Sequence, residues 1–122
     1  MKLHLSKLSG LNLFSGYGEG YVLINQKRYE HSLILLPDLM IDNWQAQTVE
    51  QLGIGHFECL FPYQPEIILL GTGANLCFPL HSLLTTFTKL GIGVEVMDTK
   101  ATCRTYNILV EEGRRVAAAL LI

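Results

Sequence analysis

The sequence predicts one α/β domain covering residues 1–122. Three observations predict it: strand-like and helix-like segments alternate through the second half, glycines stand where the helices should stop, and apolar residues are plentiful enough for one core. Of the 122 residues, 49% are hydrophobic and 16% are charged, which suits a single domain and excludes intrinsic disorder. No internal repeat, low-complexity tract or linker divides the chain. The alternation of strand and helix in turn predicts mainly parallel neighbours joined by right-handed crossovers.

The N-terminal stretch carries Lys2, His4 and Lys7 and lacks the continuous apolar run of a secretory leader, so it reads as part of the domain. The first third then reads as strands. Gly16, Gly18 and Gly20 alternate with Tyr17 and Glu19, Tyr21-Val22-Leu23-Ile24 is a short apolar run, and Asn25-Gln26 fits a two-residue turn. The second arm of this hairpin is expected to run from Lys27 through Tyr29 to Leu36, where Pro37 withdraws a backbone donor and ends the ladder. A loop is expected beyond it. From Asp38 to Glu66 the periodicity weakens, and His56–Phe61 alone suggests a helical turn or two.

The second half is better organised. Pro62 and Pro65 bracket a turn, after which Ile67-Ile68-Leu69-Leu70 runs continuously apolar into Gly71, predicting a central strand covered on both faces. Leu83, Leu84, Phe87 and Leu90 stand at helical spacing, so a helix is expected over 80–90 with Gly91 at its C-terminal cap. Gly93–Met97 reads as the next strand. Asp98 or Thr99 offers an N-cap for a helix from Lys100 to about Glu112, Gly113 stops it, and Arg115–Leu121 is the last strand.

Composition and spacing exclude several classes of function. Eleven acids against nine bases leave a net charge of -2, without the cationic excess of sequence-independent nucleic-acid binding, so no nucleic-acid partner is expected. Cys59, Cys77 and Cys103 form an odd set without a C-x-x-C pair, which argues against a disulfide framework and a zinc knuckle and for a reducing, cytoplasmic compartment. His4, His31, His56 and His81 are scattered, and nothing in their spacing calls for a metal or a cofactor. The longest apolar candidate, Val116–Ile122, is far below the roughly 18 residues of a span. No membrane insertion is expected, and the mean hydropathy of +0.29 points to a rich core or a sticky surface.

The candidate site follows from the expected topology. In an α/β sheet, ligands bind beyond the carboxyl ends of the strands, where the strand-to-helix loops gather. Two loops qualify, Gly71-Thr72-Gly73-Ala74-Asn75 and Asp98-Thr99-Lys100-Ala101, and parallel pairing should bring them to one edge. Gly71 and Gly73 let the backbone come close to a partner, and the helix N-terminus at Thr99 offers free amides to an anion. The same glycines also suit a purely structural tight turn, because Gly-Thr-Gly lacks the third glycine of a dinucleotide fingerprint and no phosphate-loop motif occurs. Arg104, Tyr106 and Asn107 bring a guanidinium, a hydroxyl and an amide to the last helix, either for an internal network with Glu95, Asp98 or Glu112 or for a ligand. Cys103 lies where a helix dipole and Arg104 favour a thiolate, although a small buried side chain suits the position better. His81 opens the helix after the glycine loop and is read as an exposed or capping residue. Tyr17, Tyr21 and Tyr29 suggest half-buried packing, or else a surface patch for a partner or a homodimer. No catalytic residue emerges.

The tail carries a resemblance. Gly71-Thr72-Gly73, Gly93-Val94-Glu95-Val96-Met97-Asp98-Thr99, Ala101, Cys103-Arg104-Thr105-Tyr106-Asn107 and Glu112-Gly113-Arg114, with Gly16-Tyr17-Gly18 and Trp44 upstream, resemble the domain-of-unknown-function 498 family, the Mth938-like domains that include mitochondrial respiratory complex I assembly factor 3. Thr102 departs from the alanine common there. The resemblance implies a three-layer domain whose central mixed, largely parallel sheet is flanked by helices and an N-terminal β-hairpin. It also implies a non-enzymatic interaction or assembly factor with protein partners, membrane respiratory-complex subunits among them. The alternative is a small-molecule or anion-binding domain, or an enzyme, with Gly71, Thr72, Gly73, Asp98, Thr99, Arg104 and Asn107 as its binding residues.

Overall fold

The computed structural model describes residues 10–122; the N-terminal reading of Lys2, His4 and Lys7 lies outside them. A three-stranded antiparallel sheet comes first, formed by β1 (Phe14–Gly18), β2 (Tyr21–Ile24) and β3 (Lys27–Tyr29). The chain then enters a five-stranded mixed sheet through β4 (Leu33–Leu36) and β5 (Leu39–Ile41). Three 3-10 segments (Val49–Gln51, Ile54–His56 and Glu58–Tyr63) lead to β6 (Ile67–Thr72), α1 (His81–Lys89), β7 (Gly93–Met97), α2 (Thr99–Glu111) and β8 (Val116–Leu121). The sheet order is β5-β4-β8-β6-β7, with β6 parallel to both β7 and β8, and β4 antiparallel to both β8 and β5.

The alternation of side chains along β4, β6 and β8 divides the core in two, because successive residues of a strand face opposite sides of the sheet. Ile34, Leu36, Ile68, Leu70, Ala117 and Ala119 face α1 and the 3-10 region, where they meet Leu83, Phe87, Trp44 and Phe57. Leu33, Leu35, Leu69, Ala118 and Leu120 face Cys103, Tyr106 and Val110 of α2 and Phe14, Val22 and Ile24 of the small sheet. The architecture is therefore three layers around a central mixed sheet, as the resemblance implies, but the sheet is not largely parallel: β6 pairs in parallel with β7 and β8, while β4 pairs antiparallel with β8 and β5. Trp44 anchors the irregular region by donating its indole N–H to the His56 carbonyl at 2.7 Å while its ring meets Phe57 edge-on.

Several expectations change. The second hairpin arm does not run unbroken from Lys27 to Leu36. It ends at Tyr29, and Leu33–Leu36 joins the other sheet, because four consecutive fully buried side chains need cover on both faces. The loop expected after Pro37 turns back at once, and Leu39–Ile41 pairs with Leu36–Ile34. The helical turn or two expected at His56–Phe61 form as short 3-10 turns, since Gly53, Gly55 and Pro62 interrupt any longer run. The Asn25-Gln26 turn forms as expected, with both residues at positive φ (50° and 73°). So do both later helices, each followed by a positive-φ glycine, Gly91 or Gly113.

Candidate functional site

The two strand-to-helix loops meet. The Gly73 N–H donates to Thr99 Oγ1 at 2.9 Å, the Thr99 N–H donates to the Gly73 carbonyl at 2.9 Å, and the Thr99 hydroxyl donates to the Leu121 carbonyl at 2.9 Å. One buried hydroxyl thus ties β6, α2 and β8 together at the carboxyl edge of the parallel strands. Gly73 takes φ +89° to enter this arrangement, a conformation that strains any side-chain-bearing residue. Beside it lies a cleft of about 220 Å³ whose walls are Gly73, Ala74, Asp98, Thr99 and Lys100 on one side and the β1–β2 turn, Gly18 to Tyr21, on the other. A second depression of about 300 Å³, reached by Thr48, Glu50, Thr72, Asn75 and Cys77, lies against the same Gly73-Ala74 segment.

Asp98, not Thr99, is the N-cap of α2: its carboxylate accepts from the Ala101 N–H at 2.8 Å. The helix N-terminus that the sequence offers to an anion therefore already holds one. Glu19 and Asp98 place two carboxylates around the cleft against the single ammonium of Lys100. Thr72 is engaged too, its hydroxyl donating to the Asn75 carbonyl at 2.6 Å and accepting from the Cys77 N–H at 3.2 Å, which shapes the loop after β6.

Of the seven residues nominated from sequence, the first cleft gathers Gly73, Asp98 and Thr99, and Thr72 borders the second depression. Gly71, Arg104 and Asn107 lie elsewhere. Gly71 is buried, and a Cβ there would sit 2.6 Å from Leu120 Cδ2 and 3.0 Å from Thr102 Oγ1, so the close approach it permits is that of Leu120 on β8 and Thr102 on α2. Thr102 fits against it and turns its hydroxyl back to the Asp98 carbonyl at 2.8 Å.

Arg104 and Asn107 point to the small sheet. Asn107 accepts from the Phe14 N–H at 2.9 Å and donates to the Phe14 carbonyl at 2.8 Å, while Arg104 donates to the Tyr17 hydroxyl at 3.0 Å and Tyr106 to the Asn12 carbonyl at 3.0 Å. The internal network exists, but backbone groups and a phenol take the place of the expected acids. These bonds dock the N-terminal sheet on α2. Desolvation raises the Tyr106 hydroxyl well above the usual tyrosine range.

Cys103 is buried, and desolvation pushes its thiol up to about 12, outweighing the favourable charge of Arg104. It is a neutral packing residue and no thiolate. All three cysteines are free. Among the described residues no three His, Cys, Asp or Glu side chains come together as a metal site: His31 pairs with Asp42 at 2.8 Å, and His56 Nδ1 accepts from the Gly53 N–H at 3.0 Å. Tyr29 is buried and Tyr17 and Tyr21 are half-buried. The Tyr21 ring lies over Gly18, where a Cβ would come within 2.3 Å of it, and Arg28 stacks on the ring at 3.9 Å.

Sequence reasoning missed the contribution of the β1–β2 turn to the cleft. The alternating glycines were its signal, because Gly18 leaves room for the Tyr21 ring, but their partner across the cleft lies more than fifty residues away in the chain.

Comparison with known proteins agrees with this architecture. The family model for proteins of unknown function DUF498/DUF598 matches residues 14–121. The chain is 29% identical over 122 residues, 99% of both chains, to the 13 kDa major membrane protein of Francisella tularensis. It is 35% identical over 101 residues to the rat NADH dehydrogenase [ubiquinone] 1 alpha subcomplex assembly factor 3, covering 80% of this chain and 54% of that protein, so it spans about half of that relative's length. A crystal structure of a Bordetella parapertussis protein superposes with a TM-score of 0.85 at 36% identity, covering 93% and 97% of the two chains. A solution structure of a Bordetella pertussis Mth938-like domain gives 0.77 at 31%, covering 93% and 87%. The chain belongs to the DUF498/DUF598 family.

Proposed function

We propose that this chain is a non-enzymatic interaction or assembly factor whose partners are proteins, with subunits of a membrane respiratory complex as the first candidates. The observation that carries the reading is the 35% identity, over 80% of the chain, to a protein named as a complex I assembly factor. In keeping with it, the polar side chains nominated for chemistry serve the fold: Asp98 caps α2, Thr99 joins two loops, and Arg104 and Asn107 hold the small sheet. The three free cysteines suit a reducing, cytoplasmic compartment, and the net charge of -2 favours protein over nucleic acid as partner. A second copy of the chain is a further candidate. Capture of the tagged protein from detergent-solubilised membranes, read by quantitative mass spectrometry, is expected to enrich respiratory subunits, and deletion of the gene to deplete the assembled complex on native gels. Recovery of chaperones alone, with intact complexes in the deletion strain, refutes the reading.

A second reading rests on the cleft beside Gly73: a small-molecule site at the carboxyl edge of β6 and β7. The carboxylates of Asp98 and Glu19 favour a cationic or neutral ligand there over the anion expected from the sequence. A ligand at about 100 times its dissociation constant stabilises a protein by roughly 2.7 kcal/mol, so a thermal-shift screen of amines, carboxylates, phosphates and nucleotides tests it, and no shift with any class rejects it.

A further inference from the structure

Between the loop after β6 and the start of α1, three large apolar side chains stand out into solvent: Leu76 is 55% exposed, Phe78 65% and Leu80 60%. The residues between them turn the other way. Pro79 is buried, and Cys77 is partly buried against the core, its backbone N–H bound to the Thr72 hydroxyl. This strict alternation makes the exposure a fixed property of the segment, because the intervening residues are tied to the fold. The charge pattern sets the same region apart. From Ile67 to Val94 the sequence holds no Asp or Glu and only Lys89 and His81 as basic residues, in a chain with a net charge of -2. The Glu50 carboxylate comes within 3.8 Å of the Cys77 sulfur, on the side chain that alternates away from the three.

From this we infer that Leu76, Phe78 and Leu80 dock the protein on the surface of a lipid bilayer. Aromatic side chains carry on the order of 150–250 Å² each and leucine no more, so at this exposure the three present at most about 450 Å². A standard stable protein interface needs roughly 800 Å² per partner, more than this patch offers to a second copy. Three apolar side chains that dip below the headgroups need no such area, and the segment that carries them adds no carboxylate of its own beside that of Glu50. Among the described residues no helix is long and apolar enough to cross a membrane, and side chains that enter the interface from outside need none.

The test is co-sedimentation of the full chain with vesicles of phosphatidylcholine alone and mixed with phosphatidylglycerol, alongside analytical ultracentrifugation without lipid. Binding to both vesicle types is expected, carried by the apolar side chains and therefore of similar strength with and without the anionic lipid. Phe78→Asp and Leu80→Asp, both at exposed positions that leave the core intact, are each expected to lower the partition coefficient at least about tenfold. Ile108→Asp, at an exposed apolar position on α2, is expected to leave it unchanged. Absence of vesicle binding, or binding that survives Phe78→Asp, overturns the inference; so does a dimer that Phe78→Asp abolishes in a protein that ignores vesicles, which assigns the patch to a second copy. Failure here leaves the assembly reading to its own capture experiment.

Discussion

Replacing Thr99 by valine exchanges one hydroxyl for a methyl group and changes almost nothing else. Valine keeps the β-branched shape, so the volume at this position (8% exposed) and the stiffness of the side chain hardly change. What disappears is a hydroxyl that accepts from the Gly73 N–H and donates to the Leu121 carbonyl, both at 2.9 Å. Each buried group left without its partner costs about 1–3 kcal/mol. Gly73 borders the cleft, where water replaces part of its lost bond, so the sum is expected near 2–3 kcal/mol. Thr99→Ser keeps the hydroxyl and loses a methyl group, at a cost of about 1 kcal/mol. For a domain of this size each kcal/mol moves Tm by roughly 3–6 °C, so the valine variant is expected to melt about 6–18 °C below the parent and well below the serine variant. Calorimetry and urea titration give the two stabilities, and hydrogen exchange at the Gly73 amide should accelerate in Thr99→Val alone. A valine variant within about 0.5 kcal/mol of the parent, or one equal to the serine variant, refutes the claim that this hydroxyl joins the two loops.

Three further outcomes follow from the same structure. Gly71→Ala forces a methyl to within 2.6 Å of Leu120 Cδ2 and is expected to destabilise by about 1–3 kcal/mol in urea titration; combining it with Leu120→Val should recover part of that loss, and strict additivity of the pair would contradict the packing argument. Cys103, buried and with its thiol pushed up to about 12, should resist thiol reagents at neutral pH while exposed Cys59 reacts; rapid labelling of Cys103 in folded protein, read by mass spectrometry, would show the helix opening locally. Arg115 donates to Asp38 at 2.8 Å, and that hydrogen bond holds the Asp38 carboxyl below its ordinary value. The pair's contribution is therefore present at neutral pH and fades as the pH falls below about 4, through the lowered pKa. Because Asp38 is largely exposed, Asp38→Asn should cost only about 0.2–1 kcal/mol at pH 7, and a difference from the parent that grows on acidification is the contrary result.

The sequence by itself determined the elements whose signals are local. Ile67–Leu70 declares a strand covered on both faces, the spacing of Leu83 and Phe87 a helix, and Asp98 with Gly113 the ends of α2, because periodicity and capping act within a few residues. The meeting of the loops after β6 and β7 was legible as well, since parallel neighbours with crossover helices bring their carboxyl ends to one edge. Tertiary structure decided what each side chain faces. Arg104 and Asn107 have the chemistry of ligand contacts in any sequence, and only the docking of β1 on α2 shows that Phe14 and Tyr17 occupy them. Gly71 reads as room for a ligand until Leu120 and Thr102 are seen to fill that room. The division of the predicted hairpin arm between two sheets, and the exposure of Leu76, Phe78 and Leu80, likewise depend on which surfaces the fold leaves covered. Burial and partnership are properties of pairs far apart in the chain, and local propensity contains no information about them.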